Sequence, residues 1–392
     1  MKDHGLLQKK YLVQTYPNRG LVFAEGDGVY LKDIHGARYL DAMTNYGVNV
    51  FGYGHPEITA ALARQVGRLT TLHGSFANDE RAEAAQALVE RCGGGLAQVY
   101  FANSGAEANE AALKFAALAT GRKKFIACRG SYHGKTLGAL SATDGEKYRK
   151  PFEPLIWDFR FVRYGDLDAL RAALDREAAA LIVEPIQGES GIRVPPEGFL
   201  RETASLCREA GALLILDEVQ TGTGRTGRFL RSQAEGLSYD IVTLGKGLAG
   251  GIPVGAALVS AAVAGKIPRG AHTSTFGGNP LACAGIRATL RLLDDGLLEH
   301  IATIGAYFLA ELHRLSSPLF KEARGEGLMI GVEVAGNRDD ILKGLQRERV
   351  LAIPAGESVV RFLPAYIFEK EHADAVVAAL GTVLASLAKE GT

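Results

Sequence analysis

The sequence predicts an α/β protein: a large domain on a mainly parallel sheet covered by helices, followed by a smaller α+β domain. Two observations carry this. From about residue 98 to 260, short apolar segments alternate with amphipathic ones, the mark of repeated strand–helix units. After about 290 that alternation stops, and a long helix gives way to strands. Length agrees: 392 residues exceed one small core, and 47% apolar against 22% charged residues is the ordinary globular range.

Residues 21–42, LVFAEGDGVYLKDIHGARYLDA, alternate as short strands with turns at GDG and HG. They belong to an N-terminal segment, 1–45, expected to pack with the small domain. The large domain is assigned to 46–290. Its candidate strands are QVYFA, KKFIAC, FRFVRY, AALIVEP, LLILDEV, DIVTLG and PVGAALV. Between several of them lie the helical patterns AEANEAALKFAALAT, DLDALRAALDRE and EGFLRETASLCREAG. The small domain is assigned to 291–392. A helix over 285–315 leads into GLMIGVEV, RVLAIP and VVRFLP, and a last helix starts near 369. Sheets of this class present ligands at the carboxyl ends of their strands, so motifs placed there carry the functional argument.

Composition narrows the function. Lys+Arg and Asp+Glu are both 44, so the basic excess of a nucleic-acid binder is missing. Cys92, Cys128, Cys207 and Cys283 are far apart, match no metal or redox spacing, and read as buried thiols of a reducing compartment. The start, MKDHGLLQKKYLVQ, lacks a signal peptide's apolar core, and the longest apolar run, near PVGAALVSAAVAG, is too short for a bilayer. The expectation is a cytoplasmic enzyme with neither membrane nor nucleic-acid partner.

Lys246 stands in VTLGKGLAGG, just after a predicted strand. A phosphate loop, G-x-x-x-x-G-K-[ST], would need Gly at 240 and Ser or Thr at 247, where this chain has Asp240 and Gly247. A strand-end lysine is ordinarily a solvated loop residue. In a poorly hydrated pocket it is instead a neutral nucleophile that forms imines with carbonyls, and the glycines then give room for a ring. In LLILDEVQTGTGRTG, apolar residues deliver Asp217 and Glu218 to a strand end. Adjacent strand residues face opposite ways, so the two carboxylates need different partners. GTGRTG, 222–227, also matches G-x-G-x-x-G, but no helix pattern opens there and two acids precede it, which speaks against a dinucleotide site. A capped surface loop is the plainer alternative. In QVYFANSGAEANEAALKFA a strand runs through Asn-Ser-Gly into a helix. The helix amides, Ser104 and Gly105 make a phosphate seat; a simple N-cap at Ser104, with Glu107 closing a capping box, fits the same residues.

Together, a phosphate seat, a strand-end lysine and a strand-end carboxylate are what pyridoxal phosphate needs: an imine partner, an anchor, and a group that keeps the pyridine nitrogen protonated. Tyr132, in SYHGKT after KKFIAC, offers an aromatic face for the ring.

With YGVNVFGYGHPE, NSGAEANEAALKFA, SYHGKTLGALSAT, EPIQGESG, LDEVQTGTGRTG, TLGKGLAGG and TSTFGGNPLACA, the chain resembles, over nearly its whole length, the class III, fold-type I pyridoxal-phosphate aminotransferases. The resemblance implies that Lys246 carries the cofactor imine and shuttles the proton, and that Asp217 pairs with the pyridinium nitrogen. It puts Val219 behind the ring, Tyr132 on its other face and Gln220 at its phenolic oxygen. Ser104, Gly105 and Ala106 would bind the phosphate. Thr275 would reach the phosphate of a neighbouring subunit, with Ser274 near substrate, so that the protein is a homodimer with shared sites.

Within the family the chain is similar to the N-acetylornithine, ornithine and lysine-biosynthesis aminotransferases, whose donors react at a terminal amine and whose usual acceptor is 2-oxoglutarate. Glu189 and Arg361 are then expected to form a movable pair: closed for a donor lacking a carboxylate on the reacting carbon, open for the acceptor. Lys135 stands where those enzymes usually carry Arg. It is a point charge that cannot grip a carboxylate in a planar fork. HGKTLGALSAT…YRKPFEPL resembles putrescine-type enzymes, and RFLPAY departs from the more usual RF-x-PP-L. The expected activity is therefore an ω-amine:2-oxoglutarate aminotransferase giving a semialdehyde and glutamate. Putrescine or 4-aminobutyrate are alternative donors, and a racemase or mutase on the same cofactor is the rival chemistry.

Overall fold

A computed structural model of the chain describes residues 3–390. The strands in chain order are β1 (Phe23–Asp27), β2 (Tyr30–Asp33), β3 (Arg38–Asp41), β4 (Leu96–Ala102), β5 (Lys124–Cys128), β6 (Asp158–Val162), β7 (Ala178–Val183) and β8 (Leu213–Asp217). They continue with β9 (Ile241–Leu244), β10 (Gly255–Ser260), β11 (Phe320–Glu326), β12 (Met329–Val334), β13 (Val350–Leu351), β14 (Ile353–Ala355) and β15 (Val359–Phe362).

The seven apolar segments named from sequence are the seven strands of the large sheet, ordered β4-β10-β9-β8-β7-β5-β6. The pairs β9·β8, β8·β7, β7·β5 and β5·β6 are parallel. β10 runs antiparallel to both of its neighbours, β4 and β9. That reversal turns β4 back into the common direction. The carboxyl ends of β4, β5, β7, β8 and β9 therefore emerge at one edge, and the segments Ser104, Tyr132, Glu184, Asp217 and Lys246 lead off from it. Every residue of β7 and β9 is buried, as expected where helices cover both faces of a parallel sheet.

Two further sheets flank this one. β11-β12-β15-β14 is antiparallel, and β1-β2-β3-β13 joins the N-terminal strands to a late one through the parallel pairs Val350↔Leu40 and Leu351↔Asp41. After Leu351 the chain passes through Ala352 straight into β14, so one short run serves both sheets.

The structure corrects the sequence reading in three places. The helix expected over 285–315 is two helices, Pro280–Leu292 and Asp295–His313. Asp294 accepts from the Leu297 amide at 2.8 Å, and that N-cap starts the second helix. DLDALRAALDRE is helical only over Leu167–Ala173. β11, FKEARGE, escaped notice because its polar residues hide the alternation of a half-exposed strand.

The GTGRTG loop opens no helix; it runs on into a 3₁₀ turn at Arg231–Glu235. Its glycines are packing contacts. A Cβ on Gly224 would come within 2.8 Å of Leu293 Cδ2, and one on Gly227 within 2.8 Å of Ala302 Cβ. Arg225 is fully buried with no carboxylate partner among the described residues. It donates to the carbonyls of Leu328, at 3.0 Å, and Pro364, and its guanidinium lies 4.8 Å from the Tyr366 ring centre. Burial lowers its pKa, with Tyr366 opposing. The loop after β8 is thereby fastened to the C-terminal sheet. Arg225→Ala should strip partners from two buried carbonyls and leave a cavity, lowering stability by about 2–5 kcal/mol; a thermal melt unchanged from wild type would contradict this role.

Candidate active site

At the shared strand edge lies a cavity of about 310 Å³ lined by Gly105, Ala106, Asn109, Tyr132, His133, Gly134, Lys135, Glu184, Asp217, Val219, Gln220 and Lys246. Residues scattered over 140 positions of sequence meet there because the parallel strands end together.

At one end is the N-terminus of the helix Gly105–Thr120. Ser104 Oγ accepts from the Glu107 amide at 3.1 Å. The Glu107 carboxylate does not return to the Ser104 amide as a capping box requires. It accepts from the Asn103 amide at 2.9 Å and from Asn103 Nδ2 at 2.8 Å, one residue earlier. Gly105 and Ala106 line the cavity, and their first-turn amides have no helical carbonyl to bond. A Cβ on Gly105 would lie 2.5 Å from Val219 Cγ1, and one on Gly134 2.6 Å from Ala106 Cβ, so two loops and a helix meet there at backbone distance.

Asp217 ends β8 and is 4% exposed. Its Oδ2 accepts from Asn109 Nδ2 at 2.7 Å and from His133 Nδ1 at 2.7 Å, and its Oδ1 from the Val219 amide at 3.0 Å. Asn109 cannot be turned over: Nδ2 also donates to the His133 carbonyl at 2.7 Å, while its Oδ1 accepts from Thr243 Oγ1 at 2.7 Å. The carboxylate therefore requires the proton of His133 on Nδ1, and the buried Nε2 has no partner. Glu218 points the other way, to the amides of Ser232 at 2.8 Å and Arg231 at 3.1 Å, and burial raises its pKa. The two acids thus have separate partners, as their alternation on the strand demands.

Lys246 follows β9 and adopts φ +44°, a left-handed conformation that costs a non-glycine residue about 1–3 kcal/mol. Its amine makes no hydrogen bond or ion pair among the described residues, and desolvation lowers its pKa against the pull of Glu189 and Asp217. The amine is thus biased toward its neutral, nucleophilic form. The glycines behind it do not make room for a ring. A Cβ on Gly247 would meet Val50 Cγ1 at 2.6 Å and one on Gly250 Ile58 Cγ2 at 2.6 Å; they let the turn press on its neighbours.

Glu189 and Arg361 meet, Oε1 to Nη2, at 2.8 Å. Arg361 is fully buried; Nη1 donates to Gln220 Oε1 at 3.1 Å and Nη2 to the Pro354 carbonyl at 3.3 Å. The Tyr46 ring lies 5.5 Å from the guanidinium. Gln220 thus faces both the cavity and the ion pair. Lys135 is exposed at the cavity wall with Nζ 5.3 Å over the Tyr148 ring. Ser274 Oγ accepts from the Gly277 amide at 2.9 Å and from Asn103 Nδ2 at 3.3 Å. Thr275 is exposed and does not line this chain's own cavity.

Asn109, His133 and Glu184 were not singled out from sequence. Asn109 lies one helical turn beyond Gly105 and so on the same face, and Glu184 ends an apolar strand as Asp217 does; these were the available signals. His133 had none beyond its neighbour Tyr132.

The donor set fits pyridoxal phosphate: an enclosed free amine for an aldehyde, a buried hydrogen-bonded carboxylate for a basic ring nitrogen, and open helix amides for a phosphate. Gly105→Ala, with its Cβ against Val219, should weaken retention of that cofactor by about tenfold or more while leaving the fold intact. Titration of the apoprotein followed in the visible would show wild-type affinity if the contact were unimportant.

The family described as Aminotransferase class-III matches residues 12–384. The acetylornithine aminotransferase of Methanothermobacter thermautotrophicus is 41% identical over 384 residues, 97% of this chain and 98% of that protein. The [LysW]-aminoadipate semialdehyde transaminase of Deinococcus radiodurans is 42% identical over 381 residues, 96% of this chain and 89% of that protein. Among solved structures, the ornithine aminotransferase of Toxoplasma gondii, with PLP at partial occupancy in its active site, superposes with a TM-score of 0.95 at 35% identity, covering 99% of this chain and 95% of that one. The chain belongs to the class III aminotransferases: it is a transaminase of the pyridoxal-phosphate fold-type I architecture, and pyridoxal phosphate is its cofactor.

Proposed function

We propose that the enzyme transfers the terminal amino group of an ornithine-, N-acetylornithine- or lysine-like donor to 2-oxoglutarate, giving a semialdehyde and glutamate. The printed activities of its relatives support a donor of this shape. The observation that carries the reading is the Glu189–Arg361 pair at 2.8 Å beside Lys246. A donor reacting at its terminal amine has no carboxylate on the reacting carbon, so a bare arginine there would be an uncompensated buried charge. The acceptor does carry an α-carboxylate. With Glu189 paired, Arg361 is neutralised for the donor; with Glu189 turned away, its planar fork is available to the acceptor. Breaking a buried pair outright costs about 3–5 kcal/mol, which the incoming carboxylate offsets by taking the vacated place.

Pyridoxal phosphate, when bound, supplies an electron sink for the bonds broken at the substrate carbon. The chain does the rest. Lys246 Nζ would take the proton from the amine-bearing carbon of the donor and hand it on to the cofactor, and in the acceptor half would carry a proton the opposite way. Asp217, fixed by Asn109 and His133, would be the partner for the cofactor's ring nitrogen. Val219 and Tyr132 would bracket the ring, Gln220, which holds Arg361, would serve its phenolic oxygen, and Ser104, Gly105 and Ala106 would hold the phosphate.

A cytoplasmic homodimer is part of the same reading. Arg81 donates to the carbonyls of Leu72, Phe76 and Gly278, binding two loops into one surface on which Phe76 and Phe276 are 63% and 58% exposed. Thr275 and Ser274 sit on that surface, poised for a partner's site.

Lys135 keeps a second donor class in view. Standing over Tyr148 without a guanidinium fork, it makes no bidentate demand for an α-carboxylate, which leaves putrescine, with no carboxylate, and 4-aminobutyrate, with only a terminal one, as alternative donors. Turnover of N-acetylornithine, ornithine, lysine, putrescine and 4-aminobutyrate with 2-oxoglutarate decides among them. A reaction that proceeds without 2-oxoglutarate would indicate a racemase or mutase instead. Lys135→Arg should raise kcat/KM for α-carboxylated donors by about 10-fold or more and leave putrescine unchanged; equal effects on both would remove Lys135 from donor recognition. Lys246→Ala should lose the visible absorption of the loaded enzyme and on the order of 10⁴-fold in turnover, and wild-type rates in that variant would sink the mechanism.

A further inference from the structure

Glu184 follows β7 at the same edge as Asp217 and is 5% exposed, yet the mechanism above does not use it. Its two oxygens go to two different loops. Oε1 accepts from the Tyr132 amide at 2.9 Å, in the loop after β5, and Oε2 from the Gly188 amide at 3.2 Å, in the turn that carries Glu189. The turn is in tight contact with the ion pair beyond it. A Cβ on Gly188 would lie 2.4 Å from Gln220 Oε1, the atom that receives Arg361 Nη1. Gln187 adds a second tie between the loops, donating to the Arg129 carbonyl at 3.0 Å. One buried carboxylate thus bridges the residue on the cofactor's face and the residue preceding the gate carboxylate.

We propose that Glu184 is a positioning residue for the Glu189–Arg361 pair: as a carboxylate it pins the Gly188–Glu189 turn with Arg361 paired, and on gaining a proton it gives up the longer bond, to Gly188, and lets Glu189 turn away. This rests on the reading of that pair as a gate. A carboxyl group that carries a proton has one good acceptor oxygen in place of two, so one of the amides loses its partner. The groups around Glu184 are His133 and Asp217 from the cavity side, Lys246, Cys128 of β5, and Tyr164, whose hydroxyl donates to the Glu184 carbonyl at 2.9 Å. Burial and Asp217 push Glu184 up to about 7, against His133 and the two amides. Its charge therefore changes across neutral pH: below about 7 the turn is loosened and acceptor binding favoured; above it the pair is held closed.

The test uses the holoenzyme in its aminated form and measures 2-oxoglutarate binding in the acceptor half-reaction between pH 6 and 8, a range in which the keto acid itself does not titrate. In wild type the apparent Kd should rise about tenfold across that range, one pH unit of a single titrating group. Glu184→Gln, which keeps one acceptor oxygen and cannot ionise, should bind with the low-pH Kd throughout. Glu184→Asp should restore a pH dependence. A Glu184→Gln curve that follows wild type, or a loss of rate at every pH with Kd unchanged, would overturn the proposal. Should Glu184→Gln fail to load cofactor, a wild-type Kd constant from pH 6 to 8 overturns it alone. Failure of the gate reading is separable: Glu189→Gln would then leave acceptor Kd unchanged whatever Glu184 does.

Discussion

The Asp217 carboxyl is buried at the bottom of the cavity, and a buried polar group is costly unless its oxygens find donors. Asn109, His133 and the Val219 amide supply them. Each comes from a different element, so satisfying one side chain is also a constraint on how the helix Gly105–Thr120, the loop after β5 and the turn after β8 sit together. Thr243, one strand over, fixes Asn109 in turn. The proposed phosphate seat is the first turn of the same helix, so one rigid element would set the spacing between it and Asp217.

The opposite wall works by the reverse principle. Arg361 is as buried as Asp217, but most of its compensation comes from Glu189, a residue on a turn. A fully satisfied network rigidifies, whereas under the proposed gate the Glu189–Arg361 pair would have one movable member. Gln220 sits between the two regimes, at the end of the segment that begins with Asp217 and in contact with Arg361. Lys246 lies between the walls, its pKa lowered by desolvation, and available because none of the described residues hydrogen-bonds its amine.

The glycines divide along similar lines. Those of GTGRTG and KGLAGG press loops against helices and neighbouring side chains, and only Gly105 and Gly134 close the cavity itself. The literal G-x-G-x-x-G pattern therefore marked a packing motif. Its arginine, buried against carbonyls and a tyrosine ring, is what fastens the cofactor-side loop to the C-terminal sheet.

The seven strands, the order of the chemistry along the chain, and the identities of Lys246, Asp217 and Ser104 were legible in the sequence, because strand-end residues after apolar runs are a local signal. The Asp217–Glu218 divergence was legible too, since alternation on a strand is geometry that sequence carries. Asn109 and His133 were not, since their meaning lies in contacts with Asp217 across 108 and 84 residues of chain. The split of 285–315 into two helices had a signal in Asp294-Asp295-Gly296, which the apolar periodicity on either side masked. Whether Glu189 and Arg361 touch depended on a strand and a turn 172 residues apart, and the tie from Glu184 to Tyr132 on loops 52 residues apart. The sequence determined which groups exist and at which edge of the sheet each emerges. Only the tertiary structure decided which of them compensate one another's charge, because burial and partnership are properties of packed neighbours and not of the chain.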